Sequence, residues 1–352
     1  MLDVRKLALA AVAGAALVAG GAGAGGAAAQ TVDGPKVNWK FSTWGPPRAQ
    51  TAGIEKVAEI VKERTNGNFT IDIGFAEQYA PAREGLDSIK IGVIDGAQIS
   101  GSYHPGKNPA LNGLEMPFLP LGDHDVRIAV QEAYMQHPVL VKEMARWNAV
   151  FYASAILPAY EFFGVGEPPK ALEDWKGRRV RALGGMGDAM RTLGAVPTTV
   201  PAPEVYNGLE RGIFDAASFP YTYAHISYRL HEVSKWYTSN MALGAANVVE
   251  VLSKSSWDAL PKQYQDLLIE VKGPHYDTLK AAFKKADDAN MPMLKERGLI
   301  EVRYTDEQRA KLIEMGAQPV WDKWVAEATP KGVPAQELLD LIFETAKKAS
   351  KS

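Results

Sequence analysis

The sequence predicts an α/β protein of two lobes, joined by crossing strands and a long connecting helix. Three observations carry that expectation. Strand-like and helix-like segments alternate along most of the chain, the pattern of a largely parallel sheet covered by helices. The chain has 352 residues, enough to bury two cores rather than one. No internal repeat or low-complexity linker separates its halves, so the chain is expected to pass between the lobes more than once.

Each element has its own signal. Residues 37–44 (VNWKFSTW) form a β-rich run stopped by Gly45-Pro46-Pro47. Over 49–65, Ile54, Val57, Ile60 and Val61 recur at helical spacing, and Asn66-Gly67 ends the helix. Residues 69–75 alternate apolar and polar as a strand does, 81–91 open on Pro81 as a helix, and 97–99 form a short third strand. A helix is expected over 123–147 and a buried strand over 149–155. Further on, 178–183 reads as a strand, 186–193 and 203–211 as helices, and 215–218 and 247–252 as strands. Residues 256–298 are nearly all helical, with a kink expected at Gly273-Pro274. A strand over 300–304 precedes a helix opened by the Thr305/Gln308 capping box, and a last helix covers 334–348.

The start of the chain differs from the rest. Arg5 and Lys6 precede an apolar stretch from Leu7 to about Ala19, and a small-residue tract ends in Ala27-Ala28-Ala29-Gln30. A basic start, a short apolar core and an A-x-A site are the parts of a secretory signal, with cleavage expected after Ala29. The apolar run is shorter than the ~20 residues that span a bilayer. The expected division is therefore 1–29 as signal, 30–158 and 247–286 as lobe I, and 159–246 as lobe II, with 287–352 the lobe II and C-terminal helices.

Composition narrows the function. A formal charge of −2 gives no electrostatic drive toward nucleic acid. With no cysteine there is no disulfide framework, zinc–thiolate site or cysteine nucleophile. The G-x-S-x-G elbow, P-loop, H-E-x-x-H and EF-hand patterns are all missing, so neither a catalytic set nor a cofactor or metal site is expected. Gly185-Met186-Gly187-Asp188-Ala189-Met190 has Met190 where a dinucleotide loop needs its last glycine, and reads as a helix start able to face an anion. The six histidines are scattered and read as structural.

One basic strand stands out, Lys176-Gly177-Arg178-Arg179-Val180-Arg181. Alternation puts Arg179 and Arg181 on one face. An arginine at a strand's carboxyl end suits a carboxylate, because its planar fork matches two oxygens. By pattern alone, a surface salt-bridge strand is the commoner explanation, and both stay open.

That strand, with Trp175 before it, resembles a segment of the DctP-type solute-binding proteins of tripartite ATP-independent periplasmic (TRAP) transporters. So do, in order, residues 78–92 (QYAPAREGLDSIKIG), Met116-Pro117-Phe118-Leu119, Leu193-Gly194-Ala195-Val196-Pro197-Thr198, and the run from Glu204-Val205-Tyr206 to Asp215-Ala216. The resemblance covers essentially the whole mature chain. It implies a two-lobed periplasmic-binding-protein fold and a periplasmic receptor, not an enzyme. Such a receptor captures a small organic acid and delivers it, as a monomer, to small and large TRAP membrane subunits. It also implies that Arg181 makes a two-pronged salt bridge to the solute carboxylate. Two departures bear on the solute. Glu161 stands where a second ligand-side arginine is common, which argues against dicarboxylates and for a monocarboxylate whose body is aromatic, hydroxylated or zwitterionic. Phe219-Pro220-Tyr221 replaces a polar stretch, so Phe219 and Tyr221, with Trp44 and Tyr103, are the expected aromatic walls. A receptor that signals instead of transporting, and a secreted hydrolase, are the alternatives.

Overall fold

The computed structural model describes residues 30–104 and 106–351; the expected signal over 1–29 lies outside the described residues. β1 (Val37–Ser42) leads to α1 (Ala52–Arg64), β2 (Phe69–Gly74), α2 (Gly85–Lys90) and β3 (Gly96–Ser100). Next come α3 (His124–Met135), α4 (Pro138–Ala145) and β4 (Ala149–Ser154). The chain then crosses to β5 (Tyr160–Gly164), β6 (Arg179–Arg181), α5 (Gly184–Thr192), β7 (Val196–Thr198), α6 (Val205–Glu210) and β8 (Ala216–Pro220). After α7 (Tyr223–Ser227), α8 (Leu230–Val233) and β9 (Trp236–Thr238) it returns to β10 (Val248–Ser253). The remainder is α9 (Lys254–Ala259), α10 (Lys262–Glu270), α11 (Lys272–Glu296), β11 (Ile300–Val302), α12 (Asp306–Gly316), α13 (Gln318–Ala328) and α14 (Ala335–Ala349).

Two sheets result. The first has the order β2-β1-β3-β10-β4 and the second β11-β9-β5-β8-β6-β7. In the first, β1 runs parallel to β2 and β3, while the returning β10 enters antiparallel between β3 and β4. In the second, β6 is parallel to β7 and β8, whereas β5 is antiparallel to both β8 and β9. Three connections join the sheets: residues 155–159, residues 239–247, and α11. The α11 helix has 25 residues, or about 37 Å at ~1.5 Å per residue, long enough to serve both. Near its start His275 bonds Glu250 of the first sheet at 2.9 Å, and near its end Asp287 accepts from Thr222, beside the second sheet, at 2.7 Å.

Local chemistry explains the boundaries. The apolar stripe of α1 buries Ile54, Val57 and Val61, and the helix stops where Asn66 and Gly67 adopt positive φ of 51° and 77°. Asp123 caps α3 by accepting from Val126 N at 2.9 Å. The single helix expected over 123–147 is two, because Pro138 has no N–H to continue the ladder and His137 before it is extended. The expected kink at Gly273-Pro274 is not there. Pro274 falls in the first turn of α11, where no N–H is required, and the chain breaks at Pro261 and Val271 instead.

One apolar core runs continuously from Trp39, Phe41 and Phe69 of the first sheet to Phe162, Trp175 and Trp236 of the second. A second core lies on the other side of the first sheet, where Leu338, Leu339 and Ile342 of α14 meet Val130 and Tyr134 of α3. This differs from the expected grouping of 287–352 with lobe II. The stripe on α14 is legible in sequence, but the surface that receives it depends on where the chain has been led. Among the described residues no helix is long and apolar enough to cross a membrane.

Candidate functional site

The carboxyl ends of β1, β3, β6 and β8 converge where residues 155–159 and 239–247 pass between the sheets. Open α/β sheets bind ligands outside such strand ends. A cavity with about 300 Å3 of atom-free space lies there, lined by Trp44, Gln50, Ser100 and Tyr103 from the first sheet's side. Arg181, Leu183, Ala202, Phe219, Tyr223 and Tyr228 line it from the second. Leu157, Tyr160, Ala246 and Val248 come from the crossing segments and their flanks.

Arg181 ends β6 and is 1% exposed. Its Nε and Nη2 donate to one acceptor, the Val200 carbonyl, at 3.1 and 3.0 Å, and Nη1 donates to the Ser218 carbonyl at 2.7 Å. Nη2 also makes a long 3.4 Å bond to the Tyr103 hydroxyl. The Nε/Nη2 edge is thus occupied, Nη1 keeps one N–H beyond its bond to Ser218, and a two-oxygen anion can take that N–H together with the Nη2 N–H now on the long Tyr103 bond. Phe219 covers the guanidinium, its ring centre 4.5 Å from Cζ. Among the described residues no carboxylate lies within ion-pair distance of Arg181. The neighbouring Arg179 is the surface partner that the pattern allowed, half-exposed and bridged to Asp215 at 2.6 Å.

Tyr103 joins the two sides. Its hydroxyl accepts from Ala202 N at 2.9 Å, and its ring meets Trp44 edge-on at 5.2 Å. Burial raises its pKa, with the Arg181 charge opposing, so the phenol keeps its proton and has it free to donate. Gln50 is held by its Oε1, which accepts from Arg48 Nη2 at 3.1 Å and from the Tyr223 hydroxyl at 3.0 Å. Arg48 itself stands behind Gln50 and spends Nη1 on the Pro46 carbonyl at 2.9 Å.

Trp44, Tyr103, Arg181 and Phe219 therefore share one cavity; Glu161 and Tyr221 do not line it. The cavity takes Tyr160, and Glu161, next on β5, turns to the segment that returns to the first sheet. Its carboxylate accepts from Thr238 Oγ1 at 2.5 Å, Met241 N at 3.1 Å and Ala242 N at 2.8 Å. Burial pushes its pKa up to about 7 against the pull of these bonds. Glu161 thus anchors a crossing segment and has no place opposite a ligand. Tyr221 packs away from the cavity, with its hydroxyl on Met291 Sδ at 3.1 Å and its ring stacked near Tyr237.

A second buried carboxylate, Glu115, holds the other end of the same segment. It accepts from Asn247 N and Ser102 N, each at 3.2 Å, and burial again raises its pKa to about 7. It is also what the glycine-rich start of α5 faces, since a Cβ on Gly184 would fall 2.7 Å from Glu115 Oε2. Sequence reasoning missed Gln50, Ser100, Tyr160, Tyr223 and Tyr228. Ser100 was findable as the last residue of a strand. The tyrosines carried no local signal, because an aromatic in a buried strand, as Tyr160, or in and beside a short helix, as Tyr223 and Tyr228, reads equally as core.

Comparison with known proteins agrees with this fold. The chain matches the bacterial extracellular solute-binding protein family 7, DctP, over residues 41–328. A monocarboxylate 2-oxoacid-binding periplasmic protein of Nostoc sp. is 28% identical over 240 residues, covering 66% of this chain and 64% of that relative, somewhat under two thirds of its length. A TRAP solute-binding protein of Rhodoferax ferrireducens, in complex with copurified benzoate, superposes with a TM-score of 0.80 at 21% identity, covering 90% of this chain and 99% of that one. A marine metagenome TRAP protein specific for aromatic acid ligands, in complex with 3-hydroxybenzoate, gives 0.80 at 18% identity, with 90% and 99% covered. Proteins of this family are periplasmic receptors for small organic acids that work with TRAP membrane components, and are not enzymes. With the family matched over most of its length and the same two-sheet fold, this chain belongs to the DctP family of bacterial extracellular solute-binding proteins.

Proposed function

We propose that this chain captures a small monocarboxylate with an aromatic or similarly flat apolar body, held by Arg181 and enclosed by Trp44, Tyr103 and Phe219. One observation carries this: a fully buried guanidinium that makes no ion pair among the described residues and lines a cavity walled by aromatic rings. A buried charge without a counter-ion is costly, and a ligand carboxylate relieves that cost. Arg181 is the one cation among the described residues lining the cavity, so a second ligand carboxylate would lack a partner there. This replaces the argument from Glu161, which lies elsewhere. Benzoate and 3-hydroxybenzoate, the ligands of those two solved structures, are of this class.

The bound chain then delivers its ligand, as a monomer, to TRAP membrane subunits. An anion seated between Arg181 and Tyr103 touches both sheets and so favours the closed arrangement. In a thermal-shift series, benzoate-type acids at 100 times their Kd are expected to add about 2.7 kcal/mol of stability. Succinate or malate binding more tightly than monocarboxylates of matched size overturns the reading. The export signal, cut after Ala29, leaves Gln30 as the first residue, and amino-terminal sequencing of periplasmic protein checks it: an intact Met1 on the exported protein rejects the cleavage.

A further inference from the structure

Two residues that line the cavity carry buried hydroxyls with no partner among the described residues: Ser100 Oγ and Tyr228 Oη. Buried polar groups are nearly always hydrogen-bonded, so each orphan needs an explanation. Other unpartnered hydroxyls, those of Ser154, Ser234, Tyr237 and Ser239, belong to residues that do not line this cavity. The two that do come from opposite sides. Ser100 is the last residue of β3 in the first sheet and is 1% exposed. Tyr228 follows α7, beside the second sheet, with its ring 5.3 Å from Phe219.

We infer that Ser100 and Tyr228 form a subsite for a second oxygen of the ligand, a hydroxyl or carbonyl outside the carboxylate. The inference rests on the carboxylate reading above and deepens it. Each orphan hydroxyl can donate once and accept twice. A ligand hydroxyl can therefore accept from one and donate to the other, and a ligand carbonyl can accept from both. Position follows from Phe219. Its ring centre lies 4.5 Å from the Arg181 guanidinium and 5.3 Å from the Tyr228 ring, so Phe219 packs against both the anionic anchor and the phenol. For an acid whose flat body lies along Phe219 from Arg181 toward Tyr228, the second oxygen belongs on the ring and not on the carbon next to the carboxylate. An unsubstituted acid leaves both hydroxyls orphaned, and sites built to bond a ligand hydroxyl discriminate strongly against analogues without it.

Calorimetry with benzoate, 3-hydroxybenzoate, 4-hydroxybenzoate, phenylacetate and mandelate tests this. The expected result is that one ring-hydroxylated acid binds at least about tenfold more tightly than benzoate, while mandelate gains nothing over phenylacetate. In Ser100→Ala and in Tyr228→Phe, each first shown to be folded by its melting curve, that ratio is expected to fall toward one. Hydroxybenzoates no better than benzoate in the wild-type protein overturn the subsite, as does a ratio that both variants leave intact. Benzoate binding that depends on Arg181 without any such ratio removes the subsite alone. If no acid of the series binds, the carboxylate reading falls and the subsite with it.

Discussion

Replacing Arg181 by lysine is expected to weaken binding of the best carboxylate by about 2–5 kcal/mol, roughly thirtyfold to a few thousandfold. Charge is retained, so the loss must come from geometry. Lysine offers one rotatable ammonium where arginine offers a planar fork. Here one edge of that fork is fixed by the Val200 carbonyl, which leaves the remaining Nη1 N–H and the Nη2 N–H on the long Tyr103 bond for a two-oxygen anion. An ammonium at this place cannot satisfy Val200 and Ser218 and still bridge a carboxylate. Some of the loss appears in the free protein as well, because the Ser218 and Val200 carbonyls lose their donors. Melting of the unliganded variant measures that part and isothermal calorimetry the rest. An unchanged affinity places the ligand elsewhere.

The second large effect concerns Glu161, and it is on stability. Glu161→Gln replaces one of two accepting oxygens by a donor, facing Thr238, Met241 N or Ala242 N, all of which now donate. Leaving one such buried group unpaired costs about 1–3 kcal/mol. The difference is expected to depend on pH. The folded pKa of about 7 lies above the ordinary 4.5. The folded chain therefore holds the proton more tightly than the unfolded chain, and the stability from this group is fully present below about 4.5 and lost as pH rises to about 7. Glutamine does not titrate. The wild-type advantage should thus be larger at low than at neutral pH within that window, by up to a few kcal/mol. Comparing the two proteins pairwise matters, because His104 and His225, with pKa values lowered to about 4 and about 3 by burial, work in the opposite direction in both. Equal differences across the window would show that Glu161 is ionised throughout and that burial does not govern it. Ligand affinity should fall less than for Arg181→Lys, since Glu161 acts only through the segment carrying Ala246 into the wall.

Much of this was legible before the fold. Strand and helix alternation placed β1, α1, β2, β3, β4 and β10 because each carries its own period and its own stop, as Asn66-Gly67 does for α1. Short elements were lost. β5 (YEFFG) has no polar alternation, since all five residues are buried, and β7 and β9 have three residues each. Such strands exist because a neighbour accepts their hydrogen bonds, not because of an intrinsic pattern.

The sequence by itself determined the α/β class and the lack of cysteine chemistry, and it placed Arg181 at a strand end, where the family resemblance implies an anionic anchor. These follow from local period, composition and motif order. The tertiary structure decided which side chains share the cavity. Glu161 and Tyr160 are adjacent in sequence, yet only Tyr160 lines the site, while Glu161 anchors a segment some eighty residues on, at Met241 and Ala242. Ser100, Tyr228 and Arg181 meet because β3, α7 and β6 end at one place. That convergence is a property of sheet order and crossings, set by long-range packing, and no local stretch of chain encodes it.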